Sequence, residues 1–160
     1  MKKIILILAL GLLLCSKSYA LDFFQSNSKN MVVSDFTLQD LSGNSVSLSD
    51  FKDKGVILFF WTTWCPHCLR ELTNFNEEYE DLKSSGIELL AIDIGESKRR
   101  VESFVNRHSI GFPILLDPNS SVAREYNVVG VPTIILISKQ GDIVSVSHAL
   151  PSDYKKLILE

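Results

Sequence analysis

Cysteine is scarce in this chain, with three residues in 160. Cys15 stands alone near the N-terminus, and Cys65 and Cys68 are three residues apart. A disulfide scaffold needs several dispersed pairs, so that class is excluded. A bridge between residues this close closes almost no loop and adds little stability through chain entropy. Reactivity accounts for the pair better than structure does. Long apolar runs are also missing. The longest, residues 4–14, is shorter than the ~20 residues that cross a bilayer. Repeats and low-complexity tracts are absent. Positive charge is in deficit, with 16 Lys and Arg against 19 Asp and Glu. The one cationic cluster, Lys98-Arg99-Arg100, reads as the solvated start of a helix and is too small for a nucleic-acid surface.

Lys2 and Lys3 precede the apolar run, and Ser18-Tyr19-Ala20 follows it with small residues where a signal peptidase reads. Residues 1–20 are therefore expected to be a signal peptide, with an uncleaved membrane anchor as the competing reading. Cys15 follows Leu14 rather than a small residue, which disfavours a lipoprotein. Loss of Lys2, Lys3 and Lys17 with the signal takes the formal charge from −3 to −6. An exported domain of this length, 46% hydrophobic, holds enough apolar material for one core. Residues 21–34, rich in Ser and Asn, read as a linker, and 35–160 as a single domain.

Within that domain, residues 35–40 alternate apolar and polar as an edge strand does, and 46–48 form its hairpin partner. Residues 49–55 read as a polar turn. Residues 56–61, Val-Ile-Leu-Phe-Phe-Trp, are a continuous run of β-formers and predict a strand buried on both faces. A helix is expected over 65–84, with Leu69, Leu72, Phe75, Asn76, Tyr79 and Leu82 at helical spacing and Gly86 ending it. Strands follow at 87–94, 112–116 and 133–137, helices at 98–108 and 119–126, a hairpin strand at 142–147 and a last helix from 151. Strands alternating with amphipathic helices predict an α/β fold, and the closing hairpin makes the sheet mixed.

The chemistry gathers at Cys65-Pro66-His67-Cys68. A helix beginning here offers unpaired N–H groups and a partial positive charge to the Cys65 sulfur, and both favour thiolate. Pro66 fits the first turn, where its missing N–H has no partner. Cys65 is expected to be the exposed attacker and Cys68, one turn in, the resolver of a mixed disulfide. Zinc would need four ligands, and only Cys65, His67 and Cys68 are local. A structural disulfide is the other alternative.

The stretch 60–68, Phe-Trp-Thr-Thr-Trp-Cys-Pro-His-Cys, resembles the active-site segment of thioredoxin-fold proteins, with Trp61 and Trp64 at the two tryptophan positions. Gly130-Val131-Pro132-Thr133 resembles the loop whose proline is cis and faces the cysteines. Residues 87–116 look like the strand–helix–strand insertion of TlpA/ResA-like proteins, and the opening hairpin matches that subfamily too. The resemblance covers roughly residues 33–152. It implies a thioredoxin fold, with a mixed central sheet flanked by helices, an N-terminal β-hairpin and an inserted strand–helix segment. It implies thiol–disulfide exchange with exported proteins, periplasmic or otherwise extracytoplasmic, and a membrane redox partner. An N-terminal tether is possible within the family. No cofactor beyond the Cys65–Cys68 disulfide and no metal is implied.

On the same resemblance, Glu71 is the acid near the thiols, positioned to take or return the Cys68 proton. Phe59 occupies the place of the buried aspartate of thioredoxin, which makes Glu71 its substitute. Trp64, Val131 and Pro132 are the substrate-binding positions, with the Val131 backbone free to pair with an extended peptide. Three features depart from the subfamily. Thr73 stands where a proline is frequent, the last helix is short, and Pro66-His67 resembles the oxidant DsbA. Pro66 and His67 are thus the redox-tuning candidates. The leading expectation is a reductant or interchange enzyme, as in cytochrome c maturation. The alternatives are a DsbA-like oxidant and, in another class, a metal-binding or metallochaperone module. A peroxidase is disfavoured because Cys65 lacks the Pro-x-x-x-Thr-x-x-Cys context. His108 and His148 read as surface residues, and Asp93 and Glu96 as a strand end and a helix cap.

Overall fold

The computed structural model describes residues 33–160. The signal segment, Cys15 and residues 21–32 of the expected linker lie outside the described residues.

Seven strands form one sheet: β1 Thr37–Asp40, β2 Ser45–Ser47, β3 Gly55–Trp61, β4 Ile87–Ile94, β5 Ile114–Asp117, β6 Thr133–Ile137 and β7 Ile143–Ser147. Their spatial order is β2-β1-β5-β4-β3-β6-β7. The central strands β3, β4 and β5 are parallel, and the antiparallel partners β1 and β6 flank them. The sheet is mixed, as expected. Helices α1 Pro66–Ser84, α2 Lys98–His108, α3 Ser121–Glu125 and α4 Tyr154–Leu159 cover its faces.

Every residue of β3 is buried, which is why its sequence is apolar without alternation. Ile57, Phe59 and Trp61 point to one face, with Leu72, Phe75 and Leu82 of α1 and Val101 of α2. Val56, Leu58 and Phe60 point to the other, with Val122, Ala123 and Tyr126. Each fully buried side chain of this size contributes roughly 1.5–3 kcal/mol. The two layers, rather than the disulfide, hold the fold. The inward stripe of α1 is Cys68-Leu72-Phe75-Tyr79-Leu82, so Leu69 and Asn76 are not part of it. Instead Asn76 accepts from the Gly111 N–H at 2.6 Å and ties α1 to the loop after α2. At the usual proline position Thr73 donates back to the Leu69 carbonyl at 2.9 Å, and the helix runs on without a break.

Several boundaries differ from the sequence reading for local reasons. Leu48 leaves the hairpin and opens a short 3-10 turn, Leu48–Phe51, held by a Ser47/Asp50 capping box. β5 begins after Pro113, which has no N–H for the ladder. Asp117 fixes the start of α3 at Ser121, because its carboxylate accepts from the N–H groups of Ser121 and Ala123. Two residues of the expected linker, Val33 and Ser34, also make contacts with the domain. Val33 packs against the second layer, and the Ser34 carbonyl accepts from the Tyr126 hydroxyl. At the base of β3, Gly55 makes room for α4, since a Cβ there would overlap Ile158 Cγ2.

Candidate active site

The C-terminal end of β3 leads through residues 62–64 into α1. Cys65 is the N-cap of that helix, and its Sγ accepts the Cys68 N–H at 3.1 Å. Pro66 occupies the first turn. Cys65 and Cys68 form a disulfide, with Cα atoms 5.2 Å apart. Cys68 is fully buried and Cys65 is 5% exposed. Cys65 is thus the more accessible sulfur, but it is far more covered than an exposed attacker would be. The loop Gly130-Val131-Pro132 contributes to this cover, because Cys65 Sγ lies 3.7 Å from the Val131 carbonyl oxygen. The Val131–Pro132 peptide is cis, the isomer expected from the resemblance. Trp61 is buried in the core, whereas Trp64 is 64% exposed beside Cys65. With Val129 and Val131, Trp64 borders a cleft of about 360 Å³.

His67 is exposed, and its Nδ1 lies 2.7 Å from Arg70 Nη2. A guanidinium only donates, so Nδ1 accepts and this contact requires the neutral ring with its proton on Nε2. Glu71 is half-buried on α1, three residues after Cys68 on the same side of the helix.

The structure adds a group of polar residues beneath the loop that the sequence reading assigned to ordinary element ends. Asp93, the penultimate residue of β4, is in register with Trp61 and is fully buried. Its two carboxyl oxygens, together with Trp61 Nε1 and Thr62 Oγ1, find no hydrogen-bond partner among the described residues. Burial first, and then the neighbouring Glu96 carboxylate, push its pKa up to about 8. The neutral acid is therefore its resting form at neutral pH.

Glu96 is not the helix cap, because Ser97 is. Glu96 reaches back under the active-site loop and accepts from the Thr63 N–H at 2.6 Å and the Thr63 hydroxyl at 2.8 Å. Arg100 Nε lies 2.7 Å from the same carboxylate and 2.9 Å from Thr63 Oγ1. Two residues before Cys65, the loop is thus bound to α2 through one buried carboxylate. His148 is exposed, as expected of a surface residue, yet it is not idle. Its Nδ1 lies 2.7 Å from the Pro132 carbonyl, so it donates to the cis-proline loop. His108 stacks on Phe104, which stacks on Trp61. Among the described residues no group of three or more His, Cys, Asp or Glu side chains is placed to hold a metal ion.

Comparison with known proteins agrees with this geometry. Residues 30–146 match the AhpC/TSA family. The chain is 36% identical over 160 residues to the thiol–disulfide oxidoreductase ResA of Bacillus subtilis, covering 97% of this chain and 88% of that protein. It is 46% identical over 109 residues to ResA of Geobacillus kaustophilus, covering 68% of this chain but only 63% of that protein. Among solved structures, the thioredoxin domain of a thiol–disulfide oxidoreductase from Bacteroides vulgatus superposes with a TM-score of 0.71 at 27% identity, covering 82% of this chain and 98% of that one. StoA of Bacillus subtilis superposes at 0.68 and 27% identity, covering 79% and 98%. The chain therefore belongs to the AhpC/TSA family and, within its thioredoxin-fold members, to the thiol–disulfide oxidoreductases of the ResA kind.

Proposed function

We propose that this chain reduces and interchanges disulfides in exported proteins, on the outer side of the cytoplasmic membrane, and receives its electrons from a membrane redox partner. The observation that carries this reading is the position of Cys65. Its sulfur caps a helix and accepts an N–H, the setting in which a thiolate is stabilised. Its neighbour is a cis-proline loop with backbone groups for an extended peptide. The basic start of residues 1–20 and the apolar run after it support export.

The reaction balances as two displacements. In the dithiol form, the Cys65 thiolate attacks one sulfur of a substrate disulfide. The second substrate sulfur leaves as a thiolate and takes up a proton, and a mixed disulfide remains. Cys68 then gives up its proton and attacks Cys65 Sγ. The first substrate sulfur leaves with a proton, and the Cys65–Cys68 disulfide forms. Two electrons have passed to the substrate, and two from the membrane partner restore the dithiol. Glu71 is our candidate for the group that takes the Cys68 proton, being half-buried on the same side of α1. Trp64 and the Val131–Pro132 backbone would seat the peptide, and Pro66 and His67 would set the potential.

The reduction potential tests the direction. A value near the ~−270 mV of thioredoxin supports a reductant, and one near the ~−120 mV of DsbA would make the chain an oxidant. Peroxide consumption dependent on Cys65 would replace both readings with a peroxidase.

A further inference from the structure

The charge on this domain is divided between the two helices beside the redox pair. The exposed side of α1 carries Glu77, Glu78, Glu80 and Asp81. α2, in a chain that is acidic overall, has the sequence KRRVESFVNRH, with four basic side chains against one acidic. Arg99, Ser103 and Arg107 succeed each other at four-residue spacing and share one side of the helix. With Arg100, Ser97 and Thr63 they line an open cleft of about 420 Å³. Lys98 is paired with Glu102 and Arg100 with Glu96. Neither Arg99 nor Arg107 has a carboxylate within 4.0 Å among the described residues. Thr63, at one end of the cleft, is two residues from Cys65.

We propose that this arginine-lined cleft receives an acidic segment of the protein whose disulfide reacts with Cys65. The inference rests on the reading of Cys65–Cys68 as the exchange site and names a class of substrate for it. Two guanidinium groups without a carboxylate partner among the described residues, set among hydroxyls, match the planar geometry of carboxylates. Because Glu96 and Arg100 join α2 to the loop at Thr63, a segment held on the arginines is fixed relative to Cys65.

The test is stopped-flow disulfide exchange by the reduced protein with two peptides of equal length. Each carries one Cys-x-x-Cys disulfide, flanked by glutamates in one and by serines in the other. Hydroxyethyl disulfide, uncharged and too small to span from Cys65 to the cleft, is the control. At low salt the acidic peptide is expected to react about tenfold faster than the serine peptide. High salt and the double variant Arg99→Glu/Arg107→Glu should each abolish that advantage, with hydroxyethyl disulfide unaffected. If the charge reversal impairs folding, Arg99→Gln/Arg107→Gln and the salt dependence of the wild type read the same effect. Equal rates for the two peptides, or an advantage that survives both variants, would overturn the proposal. So would equal peptide rates accompanied by arginine-dependent binding to phosphatidylglycerol vesicles, which would assign the cleft to a membrane surface. Failure of the wild type to react with any of the three disulfides would instead strike the exchange reading beneath it.

Discussion

Replacing Asp93 by Asn should change how the stability of this protein depends on pH. The carboxyl group is fully buried, and its pKa is raised from 3.8 to about 8. In the unfolded chain it ionises freely above 3.8, while the folded chain retains the proton up to about 8. The stabilisation from this group is complete below about pH 4 and is lost as pH rises toward 8, at ~1.4 kcal/mol per unit. At pH 7 the loss amounts to ~4 kcal/mol. Asn has the same shape and no titration, but its buried amide introduces donors that cost ~1–3 kcal/mol when unpaired. The variant should therefore be the less stable protein near pH 4 and the more stable one near pH 7. Urea unfolding of the oxidised proteins, followed by tryptophan fluorescence across that range, measures the difference directly. Glu96, Arg100 and every other titrating group are common to both proteins and largely cancel. A difference that stays flat with pH, or that moves against the variant as pH rises, would refute the reasoning.

Other outcomes follow from the same geometry. Cys68→Ala should accumulate mixed disulfides with substrate proteins on non-reducing gels, while Cys65→Ala should accumulate none; the reverse pattern would exchange attacker and resolver. Gly55→Ala forces a methyl against Ile158 and should lower stability by ~1–3 kcal/mol, seen as a lower urea midpoint. Glu96→Gln removes the charge that binds the Thr63 N–H and Arg100, at a cost of about 2 kcal/mol. That variant should also speed amide exchange at Thr63, and unchanged protection there would contradict the role given to the carboxylate. Tyr126→Phe loses the bond to the Ser34 carbonyl and should cost about 1 kcal/mol.

The sheet, the long helix and the redox pair were legible because each is written in local terms. Residues 56–61 are apolar without a break since β3 is covered on both sides, and Cys65-Pro66 announces a helix start through the chemistry of its first turn. Asp93 and Glu96 were not legible. An acid after a strand ordinarily meets solvent, and only the packing of β4 beside β3 puts these two beneath residues 61–63. His148 was missed for a related reason. Its partner is a backbone carbonyl 16 residues away, and a carbonyl leaves no mark in the sequence. Phe112 looked like strand because it is apolar, yet Pro113 withholds the N–H that pairing needs. Ser34 read as linker because its partner, the Tyr126 hydroxyl, lies far along the chain.

Cys65 is both the cap of α1 and half of the redox pair. In the dithiol form of the proposed cycle, a thiolate at Cys65 would face the same Cys68 N–H that the bridging sulfur faces in the disulfide. The first link of α1 would then gain a charge-assisted hydrogen bond on reduction and give it up on oxidation.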